Sequence, residues 1–130
     1  MRIIPTRTHG ILDYLVGAIL IAAPWIFGFA DGGAKQWVPV IVGALNIGSS
    51  LITDYELGVA KILPIGTHLA LDMGKGLVLA VSPWVFGFAD EIWWPHLLFG
   101  LVEIVTPLMT QTHTSYDNST PREHVENNVV

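Results

Sequence analysis

Cysteine is absent from this 130-residue chain, which excludes disulfides, thiolate nucleophiles and thiolate metal sites and leaves the redox compartment unreadable. Charge is scarce as well. Only 13% of residues are charged, and six Lys+Arg against eleven Asp+Glu give a formal net charge of −5. Such a chain does not suit nucleic acid, which is bound by neutralising phosphates with clustered cations. Also missing are a Gly-rich phosphate cradle, a nucleophile elbow and any loop large enough to hold an active site. The longest connection, Asp54 to Gly66, is only about a dozen residues and contains Pro64. No catalytic residue is assigned, and the expectation is a protein that is not an enzyme.

What the chain has in excess is apolar length. Hydrophobic residues make up 52% and the mean hydropathy is +0.54, which argues for a bilayer environment and against disorder. Four apolar stretches run from Thr8 to Phe29, Trp37 to Thr53, Thr67 to Phe88 and Trp93 to Thr110. Each has about 17 to 22 residues, enough as helix to cross a hydrocarbon core of about 30 Å. The expected fold is therefore an all-α membrane protein with four transmembrane helices, occupying 1–110. The polar segment 111–130 is expected to be a flexible cytoplasmic tail. Thr8 to Phe29 is read as a retained helix rather than a cleaved signal, because a second copy of it lies deep in the chain.

Arg2, Arg7, Lys61 and Arg122 flank one side of these stretches and only Lys35 the other, which puts both termini in the cytoplasm of a cell (inner) membrane. Trp25, Trp37, Trp84, Trp93 and Trp94 then gather near the outer interface, where an indole buries its ring and keeps its N–H wet. Membrane lipid is the expected surrounding. A homo-oligomer or a larger membrane complex is the expected assembly.

An internal repeat organises the chain. Thr8 to Asp31 aligns without gaps on Thr67 to Asp90, matching Thr8, His9, Leu12, Asp13, Gly17, Leu20, Pro24, Trp25 and the run Phe27-Gly28-Phe29-Ala30-Asp31. After a two-residue offset Trp37 falls on Trp94, Gly43 on Gly100, Asn46 on Glu103 and Thr53 on Thr110. The repeats, about 8–53 and 67–110, are helical hairpins. Two crossings per unit make them parallel, related by a pseudo-two-fold axis along the membrane normal.

The second copy carries Ser82-Pro83-Trp84 before Val85-Phe86-Gly87-Phe88, and the first has Ala23-Pro24-Trp25 in its place. With this duplicated motif the chain resembles the SPW repeat family, small bacterial membrane proteins with two transmembrane helices per repeat. The resemblance covers about Thr8 to Thr110. It implies topology and a bacterial membrane location, and it brings no activity with it. Because the first copy has alanine, the serine hydroxyl is not required in both halves. Pro24-Trp25 and Pro83-Trp84 are read as an interfacial anchor that ends each helix.

Helical spacing puts His68, Asp72, Lys75, Leu79 and Ser82 on one face, and His96, Gly100, Glu103, Pro107 and Thr110 on another. Counted from the helix ends, Lys75 and Glu103 lie at matching depth on antiparallel neighbours. Their counterparts Val16 and Asn46 are both uncharged, so a Lys75–Glu103 ion pair is expected, with Asp72 sharing the ammonium. The role expected first is a structural or partner-binding membrane module, with Gly43, Gly48, Gly74, Gly76 and Gly100 allowing close helix approach. Two alternatives stay open. His68, Asp72, Lys75 and Glu103 could form a titratable path for protons or ions, extended by His96. The two His-x-x-x-Asp pairs, His9 with Asp13 and His68 with Asp72, could hold a metal or haem. No motif specifies a cofactor, and the plainer reading of the second pattern makes Thr8 and Thr67 helix caps with each Asp on the helix dipole.

Overall fold

The structure is a computed structural model, and it describes residues 1–116. Arg122 and most of the expected tail lie outside the described residues. Four helices follow in order: α1 (Thr6–Ile26), α2 (Ala34–Ile52), α3 (Ile65–Val85) and α4 (Trp94–Met109). No strand forms among the described residues. α1 packs mainly on α2 and α3 on α4, and α2–α3 is the closer of the contacts between the pairs.

The helix starts differ from the capping expectation. α1 begins after Pro5 and α3 after Pro64, each proline extended and each carbonyl accepting from a histidine N–H, His9 or His68, at 3.0 Å. Proline lacks an N–H and cannot continue a ladder backwards, so the helix begins behind it. Thr8 and Thr67 therefore sit inside the first turn and cap nothing. Asp13 and Asp72 are a further turn along, beyond the N-terminal end where a dipole would favour them, and neither helix has an acid in its first turn.

The ends of α1 and α3 are duplicates. Phe27 and Phe86 close the helices, Gly28 and Gly87 follow at φ 74° and 75°, and the N–H groups of Phe29 and Phe88 reach back to Pro24 and Pro83 carbonyls at 2.8 Å. This is a Schellman ending, which needs a left-handed residue that only glycine adopts without strain. Phe29 and Phe88 turn inward and are buried, while Trp25 and Trp84 stay more than half exposed.

Within each hairpin the helices touch backbone to backbone. A Cβ on Gly43 would lie 2.6 Å from the Gly17 carbonyl oxygen, and one on Gly76 would lie 2.8 Å from that of Gly100. Only hydrogen fits there. The starts of α1 and α3 meet, with the His9 and His68 rings 5.5 Å apart, so the two hairpins point the same way. Two short backbone joints flank this end. Ile4 pairs with Thr110 beside Met109 and Gln111, and Leu63 pairs with Thr53 beside Ile52 and Asp54. Arg2 reinforces the first by donating to the Pro107 and Thr110 carbonyls at the α4 terminus, at 3.2 and 2.6 Å. In the connecting loop Glu56 accepts from the Thr6 hydroxyl at 2.7 Å and the Ser115 N–H at 2.6 Å. Partial burial of that carboxyl works to raise its pKa, but these two donors outweigh it and hold the group below the ordinary range.

Burial is inverted relative to a water-soluble bundle. Inside lie His9, Asp13, Asn46, Ser50, Thr53, His68, Asp72, Ser82, His96, Glu103 and Thr110. The apolar centre is small: Val16, Leu20, Val42 and Leu79, flanked by Val38 and Phe99. Outside, Ile11, Leu15, Ile41, Leu45, Leu71, Leu77, Leu98, Leu101 and Val105 stand about half exposed. Of the four helices, α1 alone is long and apolar enough to cross a membrane by length and composition. That narrows the expectation of four crossings. Asn46, Ser49 and Ser50 interrupt the apolar run of α2, His68, Asp72 and Lys75 that of α3, and α4 has only 16 residues.

Replacing Gly43 or Gly76 by leucine should destabilise the bundle by at least the roughly 1–3 kcal/mol typical of overpacking, whereas Gly48→Ala should stay within about 0.5 kcal/mol. Thermal unfolding of the three variants in one detergent checks this.

Candidate functional site

The two His-x-x-x-Asp pairs, which the alignment superposes, meet each other in space. His9 Nε2 lies 2.8 Å from Asp72 Oδ2 and 3.2 Å from Asp13 Oδ2. His68 Nε2 lies 2.6 Å from Asp13 Oδ2 and 3.1 Å from Asp72 Oδ2. The shorter contact of each ring is therefore to the aspartate of the other repeat. All four residues are at least 96% buried, and their facing atoms lie within 4.8 Å of one another.

The outward ring nitrogens are held with equal symmetry. His9 Nδ1 is 2.8 Å from Thr110 Oγ1, and His68 Nδ1 is 2.8 Å from Thr53 Oγ1. Each hydroxyl gives its single hydrogen to a backbone carbonyl four residues earlier, Thr110 to Thr106 at 2.7 Å and Thr53 to Ser49 at 2.6 Å. The threonine oxygens can then only accept, so each Nδ1 carries a hydrogen. In a neutral imidazole of that tautomer, Nε2 presents a lone pair to the centre.

In the further partners of the carboxylates the symmetry fails. Ser50 Oγ donates to Asp13 Oδ2 at 3.1 Å, while Asp72 Oδ1 is faced by Lys75 Nζ at 2.8 Å, an ion pair without hydrogen-bond alignment. Lys75 also donates to Ser49 Oγ at 3.2 Å.

The expected Lys75–Glu103 ion pair does not form. Glu103 instead accepts from Asn46 Nδ2 at 2.6 Å. The reason is geometric. Asn46 and Glu103 are repeat equivalents, and equivalent residues can touch only near the pseudo-two-fold axis, whereas Lys75 lies off it on the α2 side, one turn from Asp72. The four residues expected as one ladder are thus split, with His68, Asp72 and Lys75 at the quartet and Glu103 beyond it. Between the two lies a cavity of about 10 Å³ lined by His9, Asp13, Asp72 and Glu103, just large enough for one water. Glu103 Oε2 and Asn46 Oδ1 are buried without a hydrogen-bond partner, though Asn46 does not line the cavity.

His96 takes no part in this. It sits at the opposite end of the bundle between Phe29 and Phe88, with Nε2 donating to the Lys35 carbonyl at 2.8 Å. Ser82, of the Ser-Pro-Trp motif, donates to the Leu79 carbonyl at 2.7 Å and contacts no site residue by hydrogen bond. At that same end Lys35 bridges Asp31 and Glu91, joining the two short loops. The Gly33 N–H and then Lys35 hold the Asp31 carboxyl below its usual range.

Sequence reading missed Thr53 and Thr110 as partners of the histidines. A signal was present, since both close the second helix of a repeat and superpose in the alignment.

Fold and site together define a duplicated helical hairpin with a polar centre shared between its halves. The family model described as the SPW repeat domain matches residues 7–110, and the chain belongs to that family. No curated protein and no solved structure matches it.

Asn46→Leu should cost about 1–3 kcal/mol by stranding the Glu103 carboxyl, and adding Glu103→Leu should recover most of that loss. A double-mutant cycle on unfolding in detergent measures both.

Proposed function

We propose that this protein is a small integral membrane module, with all four helices crossing the bilayer, that acts by assembling with further copies of itself rather than by catalysis. Supporting the location is the inverted distribution of polarity: a soluble bundle would not leave so wide an apolar belt on every helix. α4, about 24 Å long as helix, suits a bilayer that thins locally or takes the flanking Trp93 and Trp94 into its interface. Arg2, Arg7 and Lys61 at the end opposite the tryptophans support a cytoplasmic location for that end.

The observation that carries the assembly reading is a break in the repeat symmetry on the outer surface. Between α2 and α3 runs an apolar groove of about 430 Å³ lined by Val38, Leu45, Leu71, Gly74 and Val78, continued by a second of about 330 Å³ beside Ala44 and Gly48. Gly48 and Gly74 have open space where a Cβ would be, unlike the glycines used inside each hairpin. The corresponding positions between α4 and α1 are Val105 and Leu15, both about half exposed. Small residues on one side and large ones on the other make surfaces that fit each other, the groove of one copy receiving the ridge of the next.

The absence of native cysteine makes the test direct. Gly74→Cys in one copy and Leu15→Cys in another, coexpressed in native membranes, should give an oxidative crosslink at the mass of two chains. Cysteines at Leu77 and Leu98 serve as controls, and no dimer from the first pair, or equal yields from both, would remove the reading.

A further inference from the structure

We propose that His9, Asp13, His68 and Asp72 form a binding site for one divalent transition-metal ion, with Nε2 of both imidazoles and Oδ2 of both carboxylates as its ligands. This holds whether or not the α2–α3 face is an interface.

Four features of the quartet point to a metal. The four atoms are the usual donor types, they lie within 4.8 Å of one another, and they sit in a buried position fed by α1 and α3. Their neighbours are those that fix metal ligands: the threonine hydroxyls orient each ring through Nδ1, leaving Nε2 as the donor, and Ser50 and Lys75 back the two carboxylates. Two carboxylates and two neutral imidazoles match an ion of +2, and an ionised Glu103 across the cavity would offset the Lys75 ammonium that faces Asp72. Finally, the cavity beside the quartet, lined also by Glu103, has room for one water, which would supply a further coordination position.

Two nitrogens and two oxygens favour a borderline ion such as zinc, cobalt or copper over calcium or magnesium, which prefer oxygen alone. The competing arrangement is a hydrogen-bonded ring without metal, in which each imidazole carries a second hydrogen on Nε2 and donates it to the nearer carboxylate. The 2.6 and 2.8 Å contacts are the lengths of the hydrogen-bonded ring, and a tetrahedral ion would spread these donors to about 3.3 Å. Only one arrangement binds an ion.

The full chain, purified in detergent, stripped with a chelator and shown helical by circular dichroism, is loaded with Zn²⁺ or Co²⁺ and desalted. The expected result is one ion per chain by elemental analysis, visible absorption from bound Co²⁺, and no displacement by excess Mg²⁺ or Ca²⁺. Asp13→Asn with Asp72→Asn should abolish retention, Thr110→Val should weaken it about 10–100-fold, and His96→Ala should leave it unchanged. Folded wild-type chain that retains no ion, or retention undiminished by the paired Asn substitutions, overturns the site and leaves the hydrogen-bonded ring. Should the substituted chains fail to fold, the Cu²⁺-loaded wild type decides. Its paramagnetic resonance must show coupling to two imidazole nitrogens, and fewer than two overturns the assignment.

Discussion

Polar groups enclosed by four apolar helices have no water to turn to, so each must find its partner inside the protein, and here the partner is supplied by the other repeat. His9 reaches Asp72 and Thr110, and His68 reaches Asp13 and Thr53. This exchange is what joins two hairpins that otherwise touch rather little. In the bilayer location proposed above, apolar side chains gain nothing by leaving lipid for a protein interior of similar polarity, so hydrogen bonds and close backbone packing have to set how the halves meet. The glycine contacts of α1 with α2 and of α3 with α4 set the shape of each half. The quartet sets their relation.

Much of this was legible in the sequence, because a duplicated pattern fixes helix number, face and relative height at once. His9, Asp13, His68 and Asp72 were recognisable as one set from their superposition. What register cannot supply is the direction around the helix axis in which a long side chain reaches. Lys75 and Glu103 do lie at similar depth, but one faces α2 and the other faces the axis, and depth alone could not separate those positions. The misplaced caps at Thr8 and Thr67 have another cause. A residue type suited to capping was read without weighing the proline three positions before each, which had already fixed the helix start. Nor did apolar length convey that α2 and α3 give up much of their hydrophobicity to the groups they bring inside.

Equal and unequal parts of the two repeats have different places in the structure. Where the halves are identical, at His, Asp, Thr and the Phe-Gly-Phe turns, the residues lie on or near the axis or end the helices. Where they differ, the change is directional: Lys75 for Val16 charges one side of the centre, Glu103 for Asn46 puts a carboxyl on one side of the axis, and Gly74 for Leu15 hollows one outer face. The centre thus tolerates near-perfect symmetry while its surroundings do not. A ligand held at the quartet would meet a different environment on its two sides.

The paired backbone joints at the end where α1 and α3 begin have a consequence of their own. Ile4 against Thr110 and Leu63 against Thr53 are the same contact made twice, yet only the second is bridged by a peptide loop. The first holds by hydrogen bonds and Arg2 alone. Covalent continuity between the hairpins is therefore not what aligns them, and the architecture is indifferent to which of the two seams the polypeptide crosses. A lone hairpin carrying the shared residues already contains every element that a two-fold pair would need to close the centre.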